Sequence, residues 1–250
     1  MLRRETQDGV EFLHLGHGKA NALDLEFCEA LKAAFDELER RRPRALVVTG
    51  QGNIFCAGVD LPRVIAGGAP YVERFLQALS VAITALWTTT YPTVAAVNGH
   101  AIAGGCLLAI ACDHVVAAAG NGRTGVPESS VGVPFPAAGL AILRSRAGDA
   151  VTRSLVLSGR TVPFADAVGL GLVDELAAEG ALPATALAAA QRLAAIPPAT
   201  FATTKQQLQA AARRALAEHG AAEDRKVQDV WRRDDVLAAV RAFTERTLRK

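Results

Sequence analysis

Hydrophobic positions along the chain switch between two spacings. Leu25, Cys28, Leu31, Phe35 and Leu38 recur at helical intervals and predict a helix over Leu25–Arg41, stopped by Pro43. Tyr71, Phe75, Leu79, Ile83 and Leu86 form a second stripe and predict a helix over Pro70–Trp87. Between the stripes the pattern becomes continuous. Ala45–Thr49 is an apolar run ended by Gly50, which reads as a buried strand, and Thr93–Val97 and His114–Ala118 read the same way. Glu11–Leu15 reads as a short strand, Gly104–Cys112 as an apolar helix and Gly52–Ile65 as a loop. The β–α–β–α–β order argues for an α/β core with crossover helices. No equally clear strand follows Val173, and from Leu182 the pattern is helical, broken at Pro197-Pro198 and Gly220. The expected division is a β-rich core over 1–195 and a helical region over 196–250. The sequence shows no internal repeat, although Ala181–Ala195 is rich in alanine.

Composition adds the character of the core. Half of the 250 residues are hydrophobic and 21% are charged, which allows a sizeable core and excludes disorder over most of the chain. Aromatics are only 5%, so the core must rely on small side chains and close backbone approaches. A net charge of +2 gives no support to a nucleic-acid or membrane partner. The charge is uneven, however. Residues 199–250 hold 11 Lys/Arg against 7 Asp/Glu, and the rest hold 16 against 18. That excess is either a solvated helix surface or a contact for a phosphate-bearing ligand.

Targeting and metal signals are absent from the pattern. Two arginines near the start have no apolar segment behind them, so no secretory signal is expected. The longest apolar run, Ala101–Cys112, is shorter than the roughly 20 residues of a membrane span. Cys28, Cys56, Cys106 and Cys112 form no CxxC pair and read as buried reduced thiols of a cytoplasmic protein. No His spacing suggests zinc, so no metal is expected.

Three features could carry chemistry. Phe55-Cys-Ala-Gly-Val-Asp-Leu61 follows a buried strand, where open α/β sheets place ligands. Its small residues Ala57 and Gly58 would let a ligand reach the main chain, although a plain turn has the same look. Asn98-Gly-His-Ala-Ile-Ala-Gly-Gly-Cys-Leu-Leu108 runs from a strand into a helix. Its Gly-Gly either exposes free N–H groups or allows tight helix–strand packing; the Lys-Ser/Thr of a phosphate loop is missing. Glu128 is the sole Asp or Glu between Asp113 and Asp149. It is either a turn-capping residue or a desolvated proton shuttle. Two backbone donors and one base form a kit for removing a proton alpha to a thioester carbonyl. No GxSxG or placed His suggests hydrolysis.

These residues resemble the crotonase superfamily, the enoyl-CoA hydratase/isomerase family. The likeness takes in Lys19-Ala-Asn-Ala-Leu23, the 55–61 and 96–106 segments, Cys112-Asp113, Pro127-Glu128, Ala165 to Val173 and Lys205. It implies a crotonase-like spiral of repeated ββα units with a C-terminal helical trimerisation region, assembled as a homotrimer or a dimer of trimers. It implies an acyl-CoA substrate that carries its own CoA and needs no separate cofactor. The oxyanion donors would be the N–H groups of Val59 and Gly104. Ala57, Gly58, Asp60 and Leu61 would line the thioester and pantetheine, and Ala20 and Ala22 would lie near the adenine. Lys205, Arg241 and Lys250 are unranked candidates for the CoA phosphates.

One departure narrows the reaction. Typical hydratases of this kind carry a glutamate where this chain has Leu107, and a second at Glu128. A leucine cannot hold the attacking water. One carboxylate suffices to move a proton from C2 to C4 of a 3-enoyl-CoA. The segments 21–27, 104–108 and 128–135, Val227-Gln228 and 241–249 most resemble mitochondrial-type 3,2-trans-enoyl-CoA isomerases of fatty-acid oxidation. Pro127 replaces a polar residue common in those enzymes. The alternatives are a hydratase or another crotonase reaction, and a non-catalytic acyl-CoA-binding homologue.

Overall fold

The computed structural model describes residues 1–248. The chain opens with a hairpin of β1 (Leu2–Gln7) and β2 (Val10–Leu15), turned by Asp8 and Gly9. Both turn residues have positive φ, at 52° and 78°, the geometry that an Asp-Gly pair favours. Next comes α1 (Leu25–Arg41), whose first turn is capped by Asp24: its carboxylate accepts from Phe27 N at 2.8 Å.

From there each turn of the chain lays one strand in each of two sheets and then adds a helix. The first turn is β3 (Ala45–Thr49), β4 (Ile54–Cys56) and α2 (Leu61–Trp87). The second is β5 (Thr93–Val97), β6 (His100–Ile102) and α3 (Gly104–Ile110). The third is β7 (His114–Ala118), β8 (Arg123–Gly125), the short α4 (Glu128–Val131) and the long α5 (Ala137–Ser158). The spiral closes with β9 (Thr161–Pro163), α6 (Phe164–Gly169) and β10 (Glu175–Ala177). The larger sheet has the order β1-β2-β3-β5-β7-β10 and the smaller one β4-β6-β8-β9. This is a crotonase-like α/β spiral of ββα units.

Several sequence expectations are corrected here. The predicted loop Gly52–Ile65 contains β4 and the start of α2. A strand of three residues is too short to show alternation. The second helix starts at Leu61, not Pro70; a break at Gly68, φ 58°, lets it restart at the proline. A strand does follow Val173: β10 pairs in parallel with β7. It too has only three residues, with Leu176 exposed.

The larger sheet is covered on both faces. Leu13, Leu46, Val48, Ala95, Val97 and Val115 face the main core. On the other face Val10, Phe12, Val47, Val94 and Val116 meet Ala186, Ala189 and Ala190 of α7 (Leu182–Ala194). The alanine bias of this helix thus lets it lie close against a β-branched surface. The C-terminal region consists of α8 (Pro198–Ala215), a π-helical turn (Leu216–Gly220), α9 (Ala221–Trp231) and α10 (Asp234–Leu248). Trp231, Val236 and Val240 belong to the main core. Among the described residues no helix is long and apolar enough to cross a membrane.

Lys205 anchors α8 to that core. It is buried, and its ammonium donates to Asp113 Oδ2 and Thr89 Oγ1, each at 2.9 Å. The same Asp113 oxygen accepts from Thr93 N and Thr93 Oγ1, each at 2.8 Å. Removing one member of such a pair strands the other charge in a dry setting. Lys205→Met should therefore destabilise the protein by about 3–5 kcal/mol, read as a lower midpoint in urea unfolding. A loss below about 1 kcal/mol, the scale of an exposed pair, would refute this anchoring.

Candidate active site

β4, β6 and β8 are adjacent and parallel, so their carboxyl ends lie on one edge. The three segments leaving those ends are 57–60, 103–105 and 126–128. They hold the residues that the sequence singled out. Short parallel strands ending together are a recurrent way to gather ligand-binding loops.

The first two segments touch main chain to main chain. Gly58 has φ 89°, and a Cβ there would fall 2.7 Å from Ile102 O and 3.5 Å from Gly104 N. A Cβ on Gly105 would fall 2.1 Å from Cys56 O. Only glycine permits both approaches. Ala103 bridges β6 and α3 with φ 54° and ψ −123°, a conformation that costs a non-glycine residue about 1–3 kcal/mol. Its N–H donates to Gly125 O at 2.8 Å, and its carbonyl accepts from Leu107 N at 3.1 Å.

This packing leaves two donors free. The 56–60 segment runs beside Ala20–Leu23. Ala57 N donates to Ala20 O at 3.0 Å, Leu23 N to Gly58 O at 2.7 Å and Asp60 N to Leu23 O at 2.9 Å. Leu23 and Val59 form an isolated parallel bridge whose two bonds use Gly58 O and Asp60 N, so Val59 N–H itself faces away from Leu23. Gly104 opens α3 and has no preceding turn to bond. Among the described residues neither Val59 N–H nor Gly104 N–H finds an acceptor.

Of the remaining predicted residues, some lie beside this contact and others do not. Ala20 and Ala22 are half-buried on the segment that braces 56–60. Asn21 between them is buried and donates to Phe55 O at 3.0 Å. Ala57 is exposed, while Leu61 is half-buried at the start of α2. Asp60 caps α2, accepting from Arg63 N at 3.0 Å. Leu107 is buried on α3, and a Cβ added to Gly139 would lie 2.8 Å from its Cδ1 and 3.4 Å from Phe135 Cδ1. Pro127 is the half-buried residue before α4. Lys205 is not available to a ligand phosphate, because it is consumed by the Asp113 pair. Arg241 is exposed on α10, and Lys250 lies outside the described residues.

Among the carboxyls of the described residues, Glu128 is the one whose pKa is clearly raised. It is 8% exposed, and its Oε2 is buried with no hydrogen-bond partner. Burial raises its pKa from 4.5 to about 8, against a small opposing hydrogen bond from its own N–H. Its charge reaches the buried Cys106 thiol, which burial pushes up to about 11. A carboxyl with this poise can both take and return a proton near neutral pH.

Asn98, which opens the 98–108 segment, has a supporting role that the sequence did not assign. Asn98 accepts from Gly50 N at 2.9 Å and donates to Gly52 O at 2.9 Å, tying the end of β5 to the β3–β4 connection. The Asn98-Gly99 pair was its available signal. Four buried cysteines and the histidines contribute no cluster: among the described residues no group of three or more His, Cys, Asp or Glu could hold a metal ion.

Comparison with known proteins shows the family and the fold. A sequence model described as enoyl-CoA hydratase/isomerase matches residues 5–249. A Thermus thermophilus protein, provisionally named enoyl-CoA hydratase, is 36% identical over 235 residues, covering 91% of each chain. The crystal structure of human mitochondrial Δ3-Δ2-enoyl-CoA isomerase superposes with a TM-score of 0.93 at 26% identity, covering 99% of this chain and 98% of that one. An enoyl-CoA isomerase from Mycobacterium tuberculosis gives a TM-score of 0.80 at 30% identity, covering 89% and 98%.

The raised pKa of Glu128 has a consequence for stability. The unfolded chain releases this proton near pH 4.5, whereas the folded chain keeps it to about pH 8. Folding therefore binds a proton across that window and loses stability as pH rises through it. Glu128→Gln should raise the melting temperature at pH 9, and the gain should vanish below pH 4. An equal gain at both pH values would refute the assignment of a buried, proton-holding carboxyl.

Proposed function

We propose that this enzyme, which belongs to the enoyl-CoA hydratase/isomerase family, is an isomerase that converts 3-enoyl-CoA to 2-trans-enoyl-CoA with Glu128 as its single base. The reading rests on one observation. Glu128 is a buried carboxyl with a partnerless oxygen, and the position of a second glutamate is filled by Leu107, packed beside Gly139. That pairing suits a proton shift and disfavours activation of water.

The chemistry follows from the roles these groups can play. The thioester oxygen accepts from Val59 N–H and Gly104 N–H. Glu128, in its carboxylate form, takes a proton from C2, and the C2–H electron pair spreads into the dienolate. The two donors hold the negative charge as it develops on oxygen. Glu128 then returns the same proton to C4, the double bond moves to C2–C3, and the carboxylate is regenerated. A carboxylate with pKa about 8 is a stronger base than an ordinary one, which suits a weakly acidic thioester α-proton.

Ala57, Gly58, Asp60 and Leu61 line the thioester and pantetheine in this reading, with Leu107 and Pro127 on the acyl side and Ala20 and Ala22 toward the adenine. CoA arrives with the substrate, and no separate cofactor is required. A cytoplasmic trimer or dimer of trimers, built through the C-terminal helices, completes the reading. Arg241 remains a candidate for the CoA phosphates. The hydratase name of the Thermus thermophilus relative favours a second reading, in which the same site adds water to crotonyl-CoA.

Purified protein should isomerise 3-enoyl-CoA substrates, and Glu128→Gln should lower kcat/KM at least about 100-fold. Because the active form is the carboxylate, kcat/KM should rise with pH up to about 8 and then level off. Full turnover by the Gln variant would overturn the assignment of the base. Water addition to crotonyl-CoA at a rate matching isomerisation would favour the hydratase. Acyl-CoA binding without α-proton exchange in deuterated buffer would make the chain a binding protein.

A further inference from the structure

The connection between α4 and α5, residues 132–136, buries Val133 and Phe135 in the core but has few main-chain hydrogen bonds of its own. Gly132 N and Val133 N donate back to Glu128 O at 2.9 and 3.0 Å. Beyond them, Pro134 and Pro136 have no N–H to donate. Pro136 precedes α5 and offers no side-chain cap. The positions of this segment are fixed from elsewhere in the chain. Trp231 is 2% exposed, and its indole Nε1 donates to Pro134 O at 3.0 Å. Asp224 Oδ1 accepts from Ala137 N at 2.8 Å and so supplies the missing cap of α5. Both residues lie on α9, two helical turns apart on one face.

The π-helical turn explains why that face points inward. Lys205 and Gln209 on α8 face the core, Gln209 Nε2 donating to Trp87 O at 2.8 Å. An unbroken α-helix would carry Trp231 about 80° away from the direction of Lys205 over the roughly 26 intervening positions. The wider turn at Leu216–Gly220 takes up one extra residue and turns the helix back by about 100°, leaving Trp231 within about 20° of the direction of Lys205. Asp224 and Trp231 then share the inward face with Lys205 and Gln209.

We propose that Asp224 and Trp231 are positioning residues for Glu128: α9, turned inward by the π-helical turn, grips the Gly132–Ala137 segment and keeps the carboxyl in its closed, dry setting. Neither residue belongs to the loops that meet the thioester. The proposal rests on the reading of Glu128 as the base.

The test uses the full chain with Asp224→Ala, Asp224→Asn and Trp231→Phe. Asn keeps an acceptor oxygen and Phe keeps the packing while losing the N–H. Two readouts are taken: kcat and KM on a 3-enoyl-CoA, and the titration of Glu128 followed by 13C NMR on glutamate-labelled protein, assigned with Glu128→Gln. Asp224→Ala and Trp231→Phe should each lower kcat about tenfold with KM within about twofold. In both, the Glu128 titration midpoint should fall toward that of an ordinary carboxyl as water enters. Asp224→Asn should remain near the parent in both readouts. Variants that melt earlier but keep the parental kcat and Glu128 titration would overturn the proposal. So would Asp224→Asn falling as far as Asp224→Ala. The titration does not depend on turnover, so an active Glu128→Gln would sink the base assignment separately.

Discussion

The site depends on the direct contact between main chain at the ends of β4 and β6. Gly58 and Gly105 bring the 57–60 and 103–105 segments closer than any side chain would allow, with hypothetical Cβ atoms 2.7 and 2.1 Å from carbonyl oxygens. Everything nearby adapts to that approach. Ala103 adopts an unfavourable conformation to leave β6 at the required angle. The Ala20–Leu23 segment pairs with the outer side of 57–60 and takes up Asp60 N–H, leaving Val59 N–H turned the other way. Free donors at a protein surface are ordinary. Here two of them sit on adjacent segments whose geometry is fixed by contacts that cannot be loosened without a clash.

Glu128 represents the opposite bargain. Its buried, partnerless oxygen destabilises the folded state at neutral and higher pH. The surrounding structure opposes this with many ties. Ser129 and Ser130 donate to Val156 O and Gly159 O, fastening α4 to the end of α5. The carbonyl of Glu128 itself accepts from Gly132 and Val133. A local weakness that is retained while its surroundings are reinforced is the pattern expected where a group is kept for chemistry and not for stability.

Much of this was legible in the sequence, and the unread parts have physical reasons. The helix Leu25–Arg41 and the strands Ala45–Thr49, Thr93–Val97 and His114–Ala118 have the bounds that the hydrophobic pattern predicts, because each buries a long stripe or a whole run. The smaller sheet was invisible: β4, β6, β8 and β9 have three residues each, too few for any periodicity. The ββα repeat was equally hidden from direct reading, since its turns share geometry without shared sequence; it entered only through the family resemblance. β1 alternates little, its outer residues being exposed, yet Asp8-Gly9 was a readable hairpin signal. Glu128 could be picked out by its isolation among neutral residues. Its lack of a partner could not, because that depends on side chains from several elements. Lys205 looked like a cation for a ligand phosphate, and only the fold brings Asp113 within 2.9 Å of it.

The basic excess of residues 199–250 gains a different meaning from the same contacts. One cation, Lys205, is neutralised inside the protein, and Arg232 and Arg233 are paired with acidic neighbours. Lys226 is paired with Glu223, and among the described residues Arg214, Arg225, Arg241 and Arg246 are exposed, where they can meet solvent or a ligand. The inward face of the same helices carries Gln209, Asp224 and Trp231, each bonded to a main-chain group of the α/β core. The last strand ends at Ala177, well before residue 196, and the hydrophobic core continues past both points through Trp231, Val236 and Val240. A helical region attached in this way constrains the spiral it covers. Its contacts fall on Pro134 and Ala137, six and nine residues after Glu128, in a stretch where two prolines remove main-chain donors.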